Sequence, residues 1–198
     1  RPMCTRMAGH AGLQALLAAS ERQRDACQAA LRGETQARDL QRLILCFAIW
    51  MNGPYWQQQQ DLPQARDFAT NRLQKLARRF ARSGQQLNTL DAPHLHALRI
   101  LAKKLRYSAE FFSGMYEKQK ARAFLKALSE VQEVLGQIND IAVTHRLLDE
   151  LAVYPDLSAH QEAVVLAKGW IAHDLTRQFA ALHKAIQRFA GQPAFWGK

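Results

Sequence analysis

Apolar residues recur every three or four positions along nearly all of the chain, and no stretch alternates with a period of two for more than a few residues. Positions i, i+3 and i+4 share a face of a helix with 3.6 residues per turn, so this pattern predicts helices. Ala, Leu, Gln, Arg and Glu dominate and β-branched residues are sparse, which favours the same structure. The pattern places helices near 11–31, 36–53, 62–84, 92–115, 118–136, 138–152 and 157–190. The expected interruptions have local causes: Gly33, Asn52-Gly53-Pro54, Ser83-Gly84, Gly136, and Tyr154-Pro155-Asp156 with Ser158 as a rival cap. Asp91 can cap the 92–115 helix, with Pro93 tolerated in its first turn. The fold class expected is all-α.

Two of these helices sort their residues sharply. Over 95–112, Leu98, Leu101, Leu105, Ala109 and Phe112 fall on one side and form the expected core face. His96, Arg99, Lys103, Arg106, Tyr107 and Glu110 fall opposite, within an arc of roughly 100°, and Lys104 lies to one flank. Over 72–82, Leu73, Leu76, Ala77 and Phe80 form the apolar side. Arg72, Lys75, Arg78, Arg79 and Arg82 lie within roughly 120° of one another, and no acid occurs between Asp67 and Asp91. The first two helices instead mix signs, with Glu21, Arg22, Arg24 and Asp25 in one and Glu34, Arg38, Asp39 and Arg42 at the other. Glu34 and Arg38 stand in the favourable i,i+4 order. Both read as ordinary solvated faces. The run LILCFAIWM, residues 43–51, reads as a buried helix segment, since nine residues cannot cross a bilayer.

Charge sharpens this picture. The 198 residues carry a net charge of +10, and residues 66–126 alone carry +10, against +2 for 1–65 and −2 for 127–198. Like charges at i,i+3 or i,i+4 destabilise a helix by roughly 0.2–0.5 kcal/mol per pair. Arg99–Lys103, Lys103–Arg106, Arg72–Lys75, Lys75–Arg78, Lys75–Arg79 and Arg78–Arg82 are such pairs. One basic stripe is explained by an unbalanced solvated surface. Two consecutive stripes, with a third on the last helix (His173, Arg177, Lys184, Arg188), are better explained by a polyanion that supplies the missing negative charge. Lys118, Lys120, Arg122 and Lys126 begin the helix after residue 115, with Arg122 and Lys126 on one side.

His96-x-x-Arg99-x-x-x-Lys103-Lys104-Leu105-Arg106-Tyr107-x-x-Glu110 resembles the signature helix of the CHAD family, the conserved histidine α-helical domains. LKALSEVQEVLGQINDIAV, residues 125–143, is similar to that family's second landmark, with Gln132, Leu135-Gly136 and Asn139-Asp140 in place. The basic helix at 72–82 and Pro193-Ala194-Phe195-Trp196 fit its C-terminal part. The resemblance covers about residues 60–198 well and the beginning weakly. It implies two antiparallel four-helix bundles around a basic channel that binds inorganic polyphosphate without catalysis, a module sometimes fused to a triphosphate-tunnel hydrolase domain. The family carries two related basic helices, one per half, and only one such helix is found here. The chain also starts at Arg1 rather than Met. The expectation is a C-terminal portion of a longer protein. Residues 1–90 would be the remainder of an N-terminal bundle with the linking basic helix, and 91–198 the C-terminal four-helix bundle.

Polyphosphate carries about one negative charge per internal phosphate and no bases, so affinity must come from charge-assisted hydrogen bonds and counterion release. Arg99, Lys103 and Arg106 are the first candidates, because Arg forks two oxygens and Lys acts as a mobile point charge. Lys104, Lys75, Arg78, Arg79 and Arg82 come next, then Lys126, Arg177 and Lys184. His96 is open between capping or packing and phosphate contact, and Tyr107 between packing and donating its hydroxyl. Glu110 is expected to orient Arg106. Asn139 and Asp140 are expected to cap a helix after Gly136, or else to orient a channel cation.

No cofactor or metal site is expected. HExxH and Gly-rich phosphate loops are absent, and His94 and His96 point to different sides of a helix. Two other functions compete. One is single-stranded nucleic-acid binding, with Tyr107 and Tyr116 as stacking surfaces. The other is metal-dependent polyphosphate hydrolysis, which needs clustered carboxylates, whereas 72–109 holds only Asp91. Cys4, Cys27 and Cys46 are odd in number and far apart, which suggests buried, inert thiols in a reducing compartment. With no signal peptide visible, the expected location is the cytoplasm, including polyphosphate granules, without membrane insertion.

Overall fold

The computed structural model describes residues 9–35, 38–54, 64–86 and 92–197. Among them it has six α-helices and no strand: α1 (Ala11–Thr35), α2 (Arg38–Asn52), α3 (Ala65–Gln85), α4 (Ala92–Phe112), α5 (Lys118–Ala152) and α6 (Gln161–Ala190). Short 3₁₀ helices, Ser113–Met115 and Pro155–His160, follow α4 and α5. The all-α class and helical-bundle architecture are as expected. The Tyr154-Pro155-Asp156 break occurs, and Asn52 ends α2. Pro93 stands in the first turn of α4, while the expected cap Asp91 lies outside the described residues.

Two expected interruptions do not form. Position 33 lies within α1, and α5 runs unbroken for 35 residues, about 50 Å at 1.5 Å per residue, through Gly136. A glycine inside a helix costs about 1 kcal/mol relative to Ala. Burying Leu128, Val131, Leu135 and Ile138 along the same helix outweighs that cost. Asn139 and Asp140 therefore stand in the middle of α5 and cap nothing. The Asp140 carbonyl instead accepts the Thr144 hydroxyl at 2.7 Å.

The chain divides into two compact units, one from Arg1–Leu62 with Leu148–Leu166, the other from Pro63–Leu147 with Ala167–Lys198. The sequence reading set its boundary near residue 90; by compactness α3 groups with α4, and the two pack closely. The cause is α3's apolar stripe. Ala69, Leu73, Leu76 and Phe80 bury in the same core as Leu98, Ala102, Leu105 and Ala109 of α4. Ala102 takes a fully buried place, and Leu101, expected in the core, is only partly buried. Leu128, Val131 and Leu135 of α5 and Leu182 and Phe189 of α6 complete this core. The chain end closes it. Phe124 meets Phe189, Phe195 and Trp196 with ring centroids 5.0, 5.4 and 5.0 Å apart, and the Trp196 indole donates to Gln74 Oε1 at 3.0 Å. Each such aromatic pair adds about 0.5–1.5 kcal/mol beyond area burial. The His94 ring lies 3.1 Å from the Ser83 carbonyl oxygen, which ties the start of α4 to the end of α3.

The other unit has a smaller core of Leu13, Leu16, Ala19, Leu148, Leu151, Leu157, Ala163 and Val164. Gly12 permits a close approach there, since a Cβ at this position would sit 2.9 Å from Ala163 Cβ. Its exposed charges are paired, Arg22 with Asp156 at 2.8 Å and Arg24 with Asp25 at 2.9 Å, while the side chains of the expected pair Glu34 and Arg38 lie outside the described residues.

Helix α2 departs from expectation. Residues 43–51 are helical but exposed, with Ile49 72% accessible, because no described element covers the apolar run. Periodicity marks a segment that profits from burial; it does not supply the partner. The thiols differ as well, for Cys27 and Cys46 are both exposed, and Cys4 lies outside the described residues.

Candidate anion-binding site

The stripe on α4 faces α5 across a cleft of about 380 Å³. Arg99, Lys103, Arg106 and Tyr107 form one wall. Ser129, Gln132, Glu133 and Gly136 form the other, on a single face of α5 at spacings of 3, 1 and 3. Burial of Leu98, Leu105 and Ala109 on the opposite side of α4 turns the cations to this cleft. Arg99, Lys103 and Arg106 are half-buried and Tyr107 is 54% exposed.

Arg106 is braced by its neighbours. Its Nε lies 3.4 Å from Glu110 Oε1, and its guanidinium carbon 5.4 Å from the centre of the Tyr107 ring. The Glu110 contact is an ion pair by distance, but Nε is buried and makes no aligned hydrogen bond. Glu110 therefore positions the guanidinium without saturating it. Arg99 and Lys103 have no ion pair or hydrogen bond among the described residues. The cleft thus presents cations against one exposed carboxylate, Glu133, with Ser129 and Gln132 as neutral polar partners.

Other residues singled out by sequence fall elsewhere. Lys104 is exposed beside the cleft and does not line it. His96, one turn before Arg99, lines a separate hollow of about 330 Å³ with Asn139. Asp140 is exposed on α5. Lys75, Arg78, Arg79 and Arg82 form an exposed stripe on α3 that reaches neither hollow, and none has an ion partner among the described residues. Lys126 is exposed one turn before Ser129. Arg177 is paired with Asp174, and Lys184 is exposed. Arg188 reaches Glu130 at 2.6 Å.

Sequence reasoning missed Ser129 and Glu133 altogether, gave Gln132 no role beyond marking a motif, and took Gly136 for a motif marker and a helix break. Their common face on α5 is the signal that could have found them. It also missed Phe111, 80% exposed and one turn beyond Tyr107. Among the described residues no group of three or more His, Cys, Asp or Glu is arranged to hold a metal, and no helix is long and apolar enough to cross a membrane.

The family model of the CHAD domain matches residues 3–149, which takes in both walls of the cleft. The chain belongs to the CHAD family. The match includes the stretch before residue 60, where the motif resemblance is weakest, and stops short of the C-terminal Phe195-Trp196. The crystal structure of the CHAD domain from the plant Ricinus communis is similar at 30% sequence identity with a TM-score of 0.76. That similarity covers 89% of this chain and 61% of the plant chain, so this CHAD chain spans about three-fifths of its solved relative. No curated protein matches the chain.

Proposed function

We propose that the α4–α5 cleft binds inorganic polyphosphate as a non-catalytic anchor, with Arg99, Lys103 and Arg106 as its principal contacts. One observation carries the reading: Arg99 and Lys103 are half-buried in a walled cleft with no anion paired to them among the described residues. Partial burial weakens water's screening, so a phosphate there gains more than it would at an open surface. Arg99 forks two phosphate oxygens, Lys103 follows the chain as a point charge, and Ser129 and Gln132 donate to further oxygens. The stripe on α3 adds long-range attraction. Family membership supports the same ligand, since CHAD domains are known chiefly as polyphosphate-binding modules.

Titration with polyphosphates of defined length across a salt series tests this. Affinity should rise with chain length, fall steeply with chloride concentration, and drop in Arg99→Ala and Lys103→Ala. Salt-independent binding, or binding indifferent to both substitutions, overturns the reading. A second reading, single-stranded nucleic acid, is favoured by Tyr107 and Phe111, exposed aromatics one turn apart beside these cations, on which bases could stack. Displacement of polyphosphate by single-stranded RNA at equal charge concentration would establish it. Orthophosphate release with Mg²⁺ or Mn²⁺ would instead make the protein a hydrolase.

A further inference from the structure

The hollow that takes His96 adjoins the cationic cleft. His96 precedes Arg99 by one turn of α4, and Asn139 follows Gly136 by one turn of α5, so the two hollows lie one turn apart along these helices, with α6 forming a third wall of the second. Their chemistry differs. The second hollow is lined by Leu135, Ile138, Leu175 and Phe179, and its polar side chains are His96, Asn139 and His145. No cation lines it, so a phosphate chain gains less there than beside Arg99 and Lys103, and its apolar wall suits a hydrocarbon.

We propose that the two neighbouring hollows together form a groove for single-chain amphiphilic phosphates. The phosphate or diphosphate head lies on Arg99 and Lys103, and an unbranched apolar tail runs past His96 to lie against Leu135, Ile138, Leu175 and Phe179. Charge complementarity sets the orientation, since only one end of the groove is cationic. At roughly 30 Å³ per water-sized group, the 330 Å³ hollow accommodates a tail of about ten carbons. The proposal rests on the anion-binding reading of the cleft, and adds that the same cations serve a second class of phosphate.

The test is calorimetric titration of the chain with butyl, hexyl, decyl and tetradecyl phosphate below their micelle concentrations, with inorganic triphosphate as a head-only reference. Affinity should rise about two- to fourfold per methylene up to decyl and then level off. Ala172→Phe and Ala142→Phe each narrow the apolar hollow at an exposed position, and each should abolish the gain with tail length while preserving triphosphate affinity. Circular dichroism checks that each variant folds. Lys103→Ala should weaken decyl phosphate and triphosphate alike, by about tenfold. A flat alkyl series alongside good triphosphate binding overturns this proposal and leaves the polyphosphate reading standing. So does a chain-length gain that survives both Phe variants, or decanol binding as well as decyl phosphate. Failure of triphosphate and long polyphosphate to bind overturns the anion reading and this proposal with it.

Discussion

Helices α3 and α4 carry the same kind of stripe in one compact unit, yet they present it differently. On α4, Arg99, Lys103 and Arg106 are half-buried and face the polar side chains of α5 across a cleft. On α3, Lys75, Arg78, Arg79 and Arg82 are exposed and line neither of the two hollows described. Both arrangements sacrifice helix stability to like-charge repulsion. Only α4 concentrates the resulting potential, because a wall of lower dielectric stands opposite. Charge count says that a protein attracts anions; the wall says where one stays. The other unit is the control, for Arg22 and Arg24 are each matched to an Asp.

Substitutions on the two helices should act unequally. The largest effect should come from Arg99→Ala with Lys103→Ala, which removes two charge-assisted contacts and should weaken long-chain polyphosphate about a hundredfold by titration. Gly136→Glu adds a second carboxylate to the opposite wall, where a new Cβ meets nothing within 4 Å. It should weaken polyphosphate about tenfold with little change in melting temperature, since loss of a mid-helix glycine offsets new repulsion from Glu133 and Asp140. Neutralising Arg78, Arg79 and Arg82 to Gln should cost only about threefold in affinity and flatten the salt dependence. It should also stabilise the fold by about 1 kcal/mol by denaturant melt, as several repulsive pairs disappear. Arg22→Gln should change affinity less than about twofold. If the α3 variant loses more affinity than the α4 pair, the wall is irrelevant and charge alone governs binding.

The α4 wall was legible in the sequence because a helix repeats every 3.6 residues, and one apolar side dictates where the cations go. Half of the α5 wall was not. Ser129 is neutral and Glu133 lies in a stretch of mixed charge, so neither disturbs the charge balance, and their role depends on which helix comes to lie opposite. His96 shares α4's polar face with Arg99, yet it enters an apolar hollow because α6 contributes Leu175 and Phe179 there. Gly136 was read as a break by a local rule that the buried Leu135 and Ile138 overrule. The exposed run on α2 shows the same limit from the other side, since burial belongs to a pair of surfaces and a sequence window displays one of them. The family motif was the most informative stretch, and it sits on the helix whose face the neighbours most constrain.

That run on α2 has a practical consequence for every titration proposed above. Eight large apolar side chains along it, from Leu40 to Met51, are at least 40% accessible, which makes the chain prone to cling to itself and to vessel walls. Raising ionic strength loosens a phosphate chain from its cations, whereas salting-out anions such as sulfate tighten greasy contacts. A salt series run in ammonium sulfate would mix the two trends, so one run in chloride, with light scattering recorded alongside heat, keeps them apart.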